Sequence, residues 1–139
     1  MNSAYFETRF RTSQVVHEWP GEFVIISAFA TTGESWAPDQ NAAADHKLEA
    51  ELMARGGWLV RIVGYSPASE HAEPSWAVTM PVDDACAMGR RFWQDAIYHV
   101  LDDVLSVTYC AGHAALVVVG SFRSRLDSHR FEMPRMGSS

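Results

Sequence analysis

Histidine is the usual proton carrier and metal ligand near neutral pH, and this chain has six histidines. No two of them stand at a spacing that would let them hold one ion from a strand or a helix. His71 and Glu73 form an H-x-E pair, but chance produces this pattern often. The sequence therefore predicts no metal site.

The motifs of nucleophilic catalysis and of phosphate binding are missing from the sequence. It contains no G-x-S-x-G and no S-x-x-K, and neither cysteine has a histidine beside it. The glycines form neither a P-loop nor a GxGxxG turn. These absences argue against nucleotide hydrolysis, dinucleotide redox chemistry and the common hydrolase classes, and the sequence implies no cofactor.

Four polar residues stand in apolar surroundings or at the ends of predicted elements, namely Ser27, Asn41, Glu73 and Gln94. Each has an ordinary structural interpretation. Asn41 suits a helix N-cap, and Gln94 could bond the last carbonyls of a helix. Glu73 could be exposed or paired with an arginine, and Ser27 could bond a neighbouring backbone group. The alternative is that all four side chains converge on one binding pocket.

Hydrophobic periodicity and turn residues predict the elements that would position these side chains. In chain order they are the strand "EFVIISAFA", a helix from Pro38 to Arg55, the hairpin strands "WLVRIVGYS" and "SWAVTMP", a helix "DACAMGRRFWQD" capped by Asp83, the hairpin strands "AIYHVL" and "VLSVTYC" joined at Asp102 and Asp103, and the strand "AALVVVGSFR". Before them, "AYFETRF" suits a short helix or an edge strand, and Val15–His17 suits a short strand.

This order of elements predicts an α+β fold, a two-layer sandwich with a ferredoxin-like split βαβ core (βαββαβ) and additional terminal strands. Its usual arrangement is an antiparallel sheet with both helices on one face. The length of 139 residues suits one domain, and we expect it to span residues 1–123, with a flexible tail over 124–139.

Composition and charge limit the classes of partner. With 47% hydrophobic and 20% charged residues the chain is globular, and its net charge of -6 disfavours nucleic acid and anionic membranes as partners. Cys86 and Cys110 lie in no metal-binding spacing and suit buried thiols in a reducing compartment. With no signal peptide and no long apolar run, a cytoplasmic location is expected. Only Lys47 of the 11 basic residues is a lysine, a bias that favours a bacterial, G+C-rich origin.

Three segments resemble an uncharacterised bacterial family, domain-of-unknown-function family 3293: "ISAF.....SW....N......LEAEL...GG", "GYSP...HAEPSW" and "AMGRRFWQDA". The resemblance extends roughly from Tyr5 to Tyr109. The positions that match the family's pattern are Asn41, Glu73, Pro74, Ser75, Phe92, Gln94 and Ala96. Ser27 stands where threonine is usual, and Ala30-Thr31 stand where Asn-Pro is expected, so a family site that used that step would be altered here. The resemblance implies no activity, substrate or cofactor.

The leading hypothesis is a non-catalytic binding or regulatory module for a small ligand or peptide, which could act as a homodimer. One alternative is a metal-independent enzyme with Glu73 as acid or base, Asn41 and Gln94 orienting the substrate, and a histidine nearby. Another is an assembly module that pairs with a protein partner through a sheet edge, for which "AALVVVG" is the candidate strand.

Overall fold

The structure is a computed structural model that describes residues 3–29, 37–68, 71–111 and 115–127. The strands within these ranges are β1 (Arg9–Arg11), β2 (Glu22–Ile26), β3 (Leu59–Tyr65), β4 (Ala72–Val78), β5 (Ala96–Leu101), β6 (Val104–Tyr109) and β7 (Val117–Ser121). The helices there are an N-terminal 3₁₀ helix (Ser3–Phe6), α1 (Pro38–Arg55), α2 (Val82–Arg91) and α3 (Phe122–Arg125). The predicted sequence of strands and helices in the middle of the chain is therefore observed.

The described strands form one antiparallel sheet, in the order β1-β3-β4-β2-β5-β6-β7, that curls into a half-barrel. The predicted ferredoxin-like two-layer sandwich is wrong. A two-layer sandwich has one apolar core between its sheet and its helices, whereas this sheet buries apolar side chains on both faces. Curling lets the concave face close over a core of its own, so the fold cannot be reduced to one sheet and one helical layer.

Strand β2 shows how the sequence produces the two cores. Val24 and Ile26 belong to the cluster under the helices, while Phe23 and Ile25 belong to the cluster on the concave face. Successive side chains of a strand point to opposite faces, so a continuous apolar run must be covered on both. The unbroken apolar segment that identified this strand also requires a second cover, which the sandwich lacks.

The convex face is covered by α1 and α2. Leu48 and Leu52 of α1 and Met88 of α2 pack there with Val24 and Val78 of the sheet. Helix α1 has its predicted bounds. Helix α2 begins at Val82 with Pro81 as the N-cap, so the prediction that Asp83 caps it is wrong. Both helices thus pack on one face, as expected, while the opposite face carries the second core.

Aromatic rings fill most of the concave face. The Phe23 ring lies 5.4 Å from that of Trp19 and 5.2 Å from that of Phe122. Phe10 and Trp58 complete this cluster. Val16 also packs on it, and residues 15–17 form no strand, contrary to prediction. The irregular segment between β1 and β2 and the short helix α3 therefore close one part of the half-barrel.

The turn between β5 and β6 lies where it was predicted. Asp102 and Asp103 have φ values of 48° and 71°. Two successive positive φ angles are typical of the tight turns that join twisted antiparallel strands, and aspartate tolerates them. The pairing of Leu101 with Val104 confirms the predicted hairpin.

The chain after α3 returns to the first strand. Leu126 bridges to Phe10, and Asp127 forms an ion pair with Arg9 at 3.0 Å. Residues 128–139, most of the expected tail, lie outside the described residues. None of the described helices carries an apolar stretch long enough to cross a membrane.

Candidate functional site

A pocket of about 690 Å³ opens on the concave face, beside the aromatic cluster. We call it the concave pocket. It is lined by Tyr5, Thr8, Phe10, Ile25, Ser27, Gly64, Tyr65, Ser66, His71, Glu73, Ser75, Arg90, Gln94, Asp95, Ala96, Tyr98, Tyr109 and Ala111. Three of the four polar residues singled out in the sequence, Ser27, Glu73 and Gln94, are therefore brought together around one cavity.

Ser27 follows the last residue of β2 and is only 5% exposed. Its hydroxyl donates to the carbonyl of Pro74 at 2.9 Å and accepts the backbone N–H of Phe29 at 3.0 Å. The backbone bonding expected of Ser27 is thus present, and the same oxygen lies at the pocket wall. This side chain ties the end of β2 to β4, the strand that carries Glu73.

Glu73 lies on β4 opposite Gly64 of β3. Its side chain is 28% exposed, and its carboxylate lies 3.5 Å from the Nε2 atom of His71. Burial raises the pKa of the Glu73 carboxyl, while the charge and hydrogen bond of His71 and a hydrogen bond with Ser27 lower it by less. The pocket therefore contains a carboxylate that its surroundings solvate poorly.

Gln94 lies between α2 and β5 and is 7% exposed. Its Nε2 donates to the carbonyl of Phe29 at 2.7 Å and to that of Phe92 at 3.3 Å. Trp93, just before it, has a φ of 62°, a left-handed conformation that reverses the chain at the end of the helix. The amide thus joins the end of α2 to the segment after β2, and both segments border the pocket.

Asn41 is in the first turns of α1 and is not among the described residues that line the concave pocket. It is not the N-cap either, since that position belongs to Ala37, whose N–H donates to the side chain of Gln40 at 2.9 Å. The membership of Asn41 in a shared binding site stays a prediction, and the lining of the concave pocket does not support it.

All four tyrosines of the chain line the concave pocket, and the sequence reasoning missed them. They come from four separate elements: Tyr5 from the 3₁₀ helix, Tyr65 from β3, Tyr98 from β5 and Tyr109 from β6. No local motif connects them. A signal appears only when register is known, because Tyr98 stands opposite Ile25 and hence on the concave face.

Burial raises the pKa of three of these tyrosine hydroxyls, those of Tyr5, Tyr65 and Tyr98. Burial raises the pKa of Tyr98 to about 12, and its hydroxyl hydrogen-bonds with the Thr8 side chain. The Tyr65 hydroxyl donates to Asp127. Desolvation raises the pKa of Tyr5 as well. Near neutral pH these side chains therefore offer rings and neutral hydroxyls.

The two thiols offer little reactivity. Cys86 and Cys110 are free and buried, at 4% and 1% exposure. Burial raises the pKa of the Cys86 thiol and raises that of Cys110 to about 12. Since the thiolate is the nucleophile, neither cysteine is activated for attack. Among the described residues no group of three histidine, cysteine or acidic side chains is arranged to hold a metal ion.

A second pocket, of about 480 Å³, lies between α1 and α2 and is bordered by Lys47, Arg91 and Trp93. Trp93 is 75% exposed there. None of the four polar candidates lines this second pocket. The concave pocket is therefore the candidate functional site.

Comparison with known proteins identifies one family. The model of a family described as "Protein of unknown function (DUF3293)" matches residues 26–97, more than half of the 139-residue chain. The matched segment includes Ser27, Asn41, Glu73 and Gln94, whereas Tyr5, Tyr98 and Tyr109 lie outside it. No curated protein and no solved structure matches the chain.

Proposed function

The chain belongs to this family of unknown function, and we propose that it is a non-catalytic binding module that holds a small ligand in the concave pocket. The supporting observation is that Ser27, Glu73 and Gln94 surround one cavity together with every tyrosine of the chain. A volume of about 690 Å³ lies within the usual range for small-molecule sites, which combine apolar walls with a few placed polar groups.

A small ligand suits the cavity better than an extended peptide. The pocket lies against the concave core, and Tyr5 of the 3₁₀ helix forms part of its wall. A peptide strand would need an unpaired sheet edge, but β4 and β5, which carry Glu73 and Tyr98 of the lining, each pair with strands on both sides. A small molecule held inside the cavity therefore suits this site better than a strand added to the sheet.

A thermal-shift screen of the protein against a metabolite library tests this function. A ligand at a hundred times its dissociation constant should add about 2.7 kcal/mol of stability. The pocket-filling variant Ala111→Trp should lose the shift, because Ala111 is an exposed lining residue. Ala50→Trp, at an exposed position of α1, is the matched control and should retain it.

Two results contradict the proposal. The first is that no compound stabilises the protein. The second is that the compounds that do so act equally on Ala111→Trp, because binding would then take place outside the concave pocket.

Catalysis by Glu73 is the alternative that the pocket chemistry favours next. A carboxyl whose pKa is raised by burial, with His71 at 3.5 Å, is a candidate general acid or base. Mass spectrometry of a ligand after prolonged incubation distinguishes the two functions. Recovery of the unchanged ligand supports binding, and a product formed by the wild type but not by Glu73→Gln supports catalysis.

Self-association through β7 is a second candidate function, supported by a different part of the molecule. Leu116, Val117 and Val118 are 46%, 38% and 60% exposed, and β7 is the last strand of the described sheet. Such an edge favours pairing with another strand. A homodimer that pairs through β7 would form at the end of the described sheet, with β2, β5 and β6 between it and β4.

We also propose a cytoplasmic location and a bacterial source for this protein. Two free, buried thiols suit a reducing cytoplasm, and the shortage of lysine suits a bacterial source. The net charge of -6 gives nucleic acids and anionic membranes no electrostatic attraction, so a small molecule or a protein is the expected partner.

A further inference from the structure

We propose that the concave pocket takes a small organic cation, whose ammonium group pairs with the carboxylate of Glu73 and lies against tyrosine rings. The inference rests on the proposed binding function and names the chemical class of its ligand. Three features carry it: the state of the carboxylate, the nature of the walls, and the engagement of the nearby cationic side chains.

The carboxylate of Glu73 has few donors of its own. Ser27 has one hydroxyl proton, for which the carbonyl of Pro74 and the carboxylate of Glu73 compete. His71, at 3.5 Å, has a side chain that is 61% exposed, so water screens this pair. An ammonium group inside the pocket would supply a charge and, for a primary amine, hydrogen-bond donors where the protein supplies few.

The pocket walls also suit a cation. Tyr5 and Tyr98 meet edge to face, with ring centroids 6.0 Å apart, so the two rings make a corner inside the lining. The face of an aromatic ring is negative and attracts cations within about 6 Å. Tyr65 already shows this preference, because the guanidinium of Arg11 lies 4.8 Å from its ring centre.

Two cationic side chains of the described residues near the pocket already donate to backbone carbonyls. Arg90 donates to the carbonyl of Cys110, and Arg125 donates to the carbonyls of Thr8 and Val119. Asp95, at the rim, adds a second carboxylate to the lining. The lining thus carries the two carboxylates of Glu73 and Asp95 against the guanidinium of Arg90, and this balance of charge favours a cation.

Two pairs of probes isolate the charge. Choline is compared with its uncharged carbon isostere dimethylbutanol, and tyramine with para-ethylphenol, by calorimetric titration of the full chain. Each cation should bind at least about tenfold more tightly than its uncharged partner, since a charged hydrogen bond or a desolvated cation–π contact supplies at least that difference. Glu73→Gln should remove the preference, and Glu18→Gln, at an exposed position outside the pocket lining, should keep it.

A pH series on the wild type gives a readout that needs no variant. Choline carries a permanent charge, so weaker choline binding at acid pH reports on the protein alone. Protonation of Glu73 removes the attraction, protonation of His71 at the rim acts in the same direction, and Arg90 keeps its charge throughout. Asp95, an exposed carboxylate, would contribute at the acid end of the series. Dimethylbutanol binding should not change with pH.

The outcomes separate this inference from the proposed function. If the uncharged partners bind as tightly as the cations, the inference of a cationic ligand is wrong, while binding in the concave pocket is still supported. The same conclusion follows if only other library compounds bind and Ala111→Trp abolishes their thermal shifts. If the cations bind equally well to Ala111→Trp, both proposals fail. A tenfold preference that disappears in both Glu73→Gln and Ala111→Trp supports both.

Discussion

Glu73 is a carboxyl group whose burial costs the folded protein stability near neutral pH. Burial raises the pKa of Glu73 above its ordinary value of 4.5, so between 4.5 and the raised pKa the folded protein binds more protons than the unfolded chain. The contribution of Glu73 to stability is therefore complete below about pH 4.5 and is lost as pH rises through the folded pKa. Functional sites often contain such unfavourable groups.

Replacing this carboxyl by an amide should stabilise the protein at neutral pH. Glu73→Gln removes the cost of ionising a buried group, so its urea midpoint should exceed that of the wild type at about pH 7.5 and converge with it at about pH 4. Glu18→Gln, at an exposed site, should match the wild type at both pH values. A variant less stable than the wild type at neutral pH would mean that His71 and Ser27 more than offset the burial of the charge.

Asp45 connects α1 to the sheet through several charge-assisted contacts. Its two carboxylate oxygens accept from Arg61 at 2.7 and 2.9 Å, and one also accepts from the indole N–H of Trp76 at 3.1 Å. The guanidinium of Arg61 in turn lies 4.4 Å from the Trp76 ring centre. A two-oxygen contact of this kind is stronger than a typical surface pair.

Asp45→Ala should therefore lower the free energy of unfolding by about 2 kcal/mol, since it leaves a guanidinium and an indole N–H without their acceptor. The figure is below that for fully buried pairs because the Arg61 side chain is 31% exposed. Urea unfolding measures it, with Asp39→Ala, an exposed acid of the same helix, as the control. Equal effects of the two substitutions would show that the contacts contribute no net stability.

At the scale of elements, α2 packs on the sheet through a glycine. A Cβ atom at Gly89 would lie 2.7 Å from the Sγ of Cys110 and 3.4 Å from a methyl group of Ile97. Alanine favours the helix over glycine by about 1 kcal/mol, but overpacking of a tight core costs about 1 to 3 kcal/mol. The close approach should outweigh the helical preference, because both neighbours are buried in the sheet.

Gly89→Ala is expected to destabilise the protein by about 1 kcal/mol, and Cys110→Ala should relieve part of this loss. In a double-mutant cycle by urea unfolding, the two substitutions should couple favourably by about 1 kcal/mol, since the sulfur is the atom that the new methyl group meets. Strict additivity would place the strain elsewhere along α2. A stabilising Gly89→Ala would show that the helix moves without cost.

The sequence predicted the elements better than it predicted their assembly. The bounds of α1 and both hairpins follow from local signals, namely the glycines after Arg55 and the paired aspartates at the β5–β6 turn. Curling of the sheet depends on the sum of twists over many strands and on the cover provided by residues distant in sequence. The apolar run of β2 indicates that both faces of the strand are buried. It does not indicate which residues cover the second face.

The candidate site shows the same division. Ser27, Glu73 and Gln94 attracted notice because polar residues in apolar settings are visible locally, and the sheet brings them to one cavity. Asn41 was a similar candidate at the start of a predicted helix, but it is not among the described residues that line that cavity. The tyrosines lacked any such signal, since they come from the 3₁₀ helix and from β3, β5 and β6, which only the strand order and the curl of the sheet bring around one cavity. A long-range constellation of this kind requires the fold first.

At the scale of the whole molecule, the two ends of the described sheet differ in how they resist pairing. Strand β1 is three residues long, carries Arg9 and Arg11, and is bridged by Leu126. Strand β7 is longer, has no charged side chain, and follows the exposed Leu116. Charge and shortness are the usual protection of an edge, and β7 has neither, although Arg125 donates to its Val119 carbonyl.

We therefore expect a homodimer in which β7 pairs with the same strand of a second copy about a two-fold axis. Light scattering with size-exclusion chromatography, over about 1 to 100 μM protein, should show it. Val118→Lys should weaken it at least tenfold, because Val118 is 60% exposed on the edge and a charge there disfavours burial. Val15→Lys, at a valine 48% exposed before β2, should leave the dimer intact. A wild type that stays monomeric across this range would overturn the assignment, and so would a dimer that tolerates Val118→Lys.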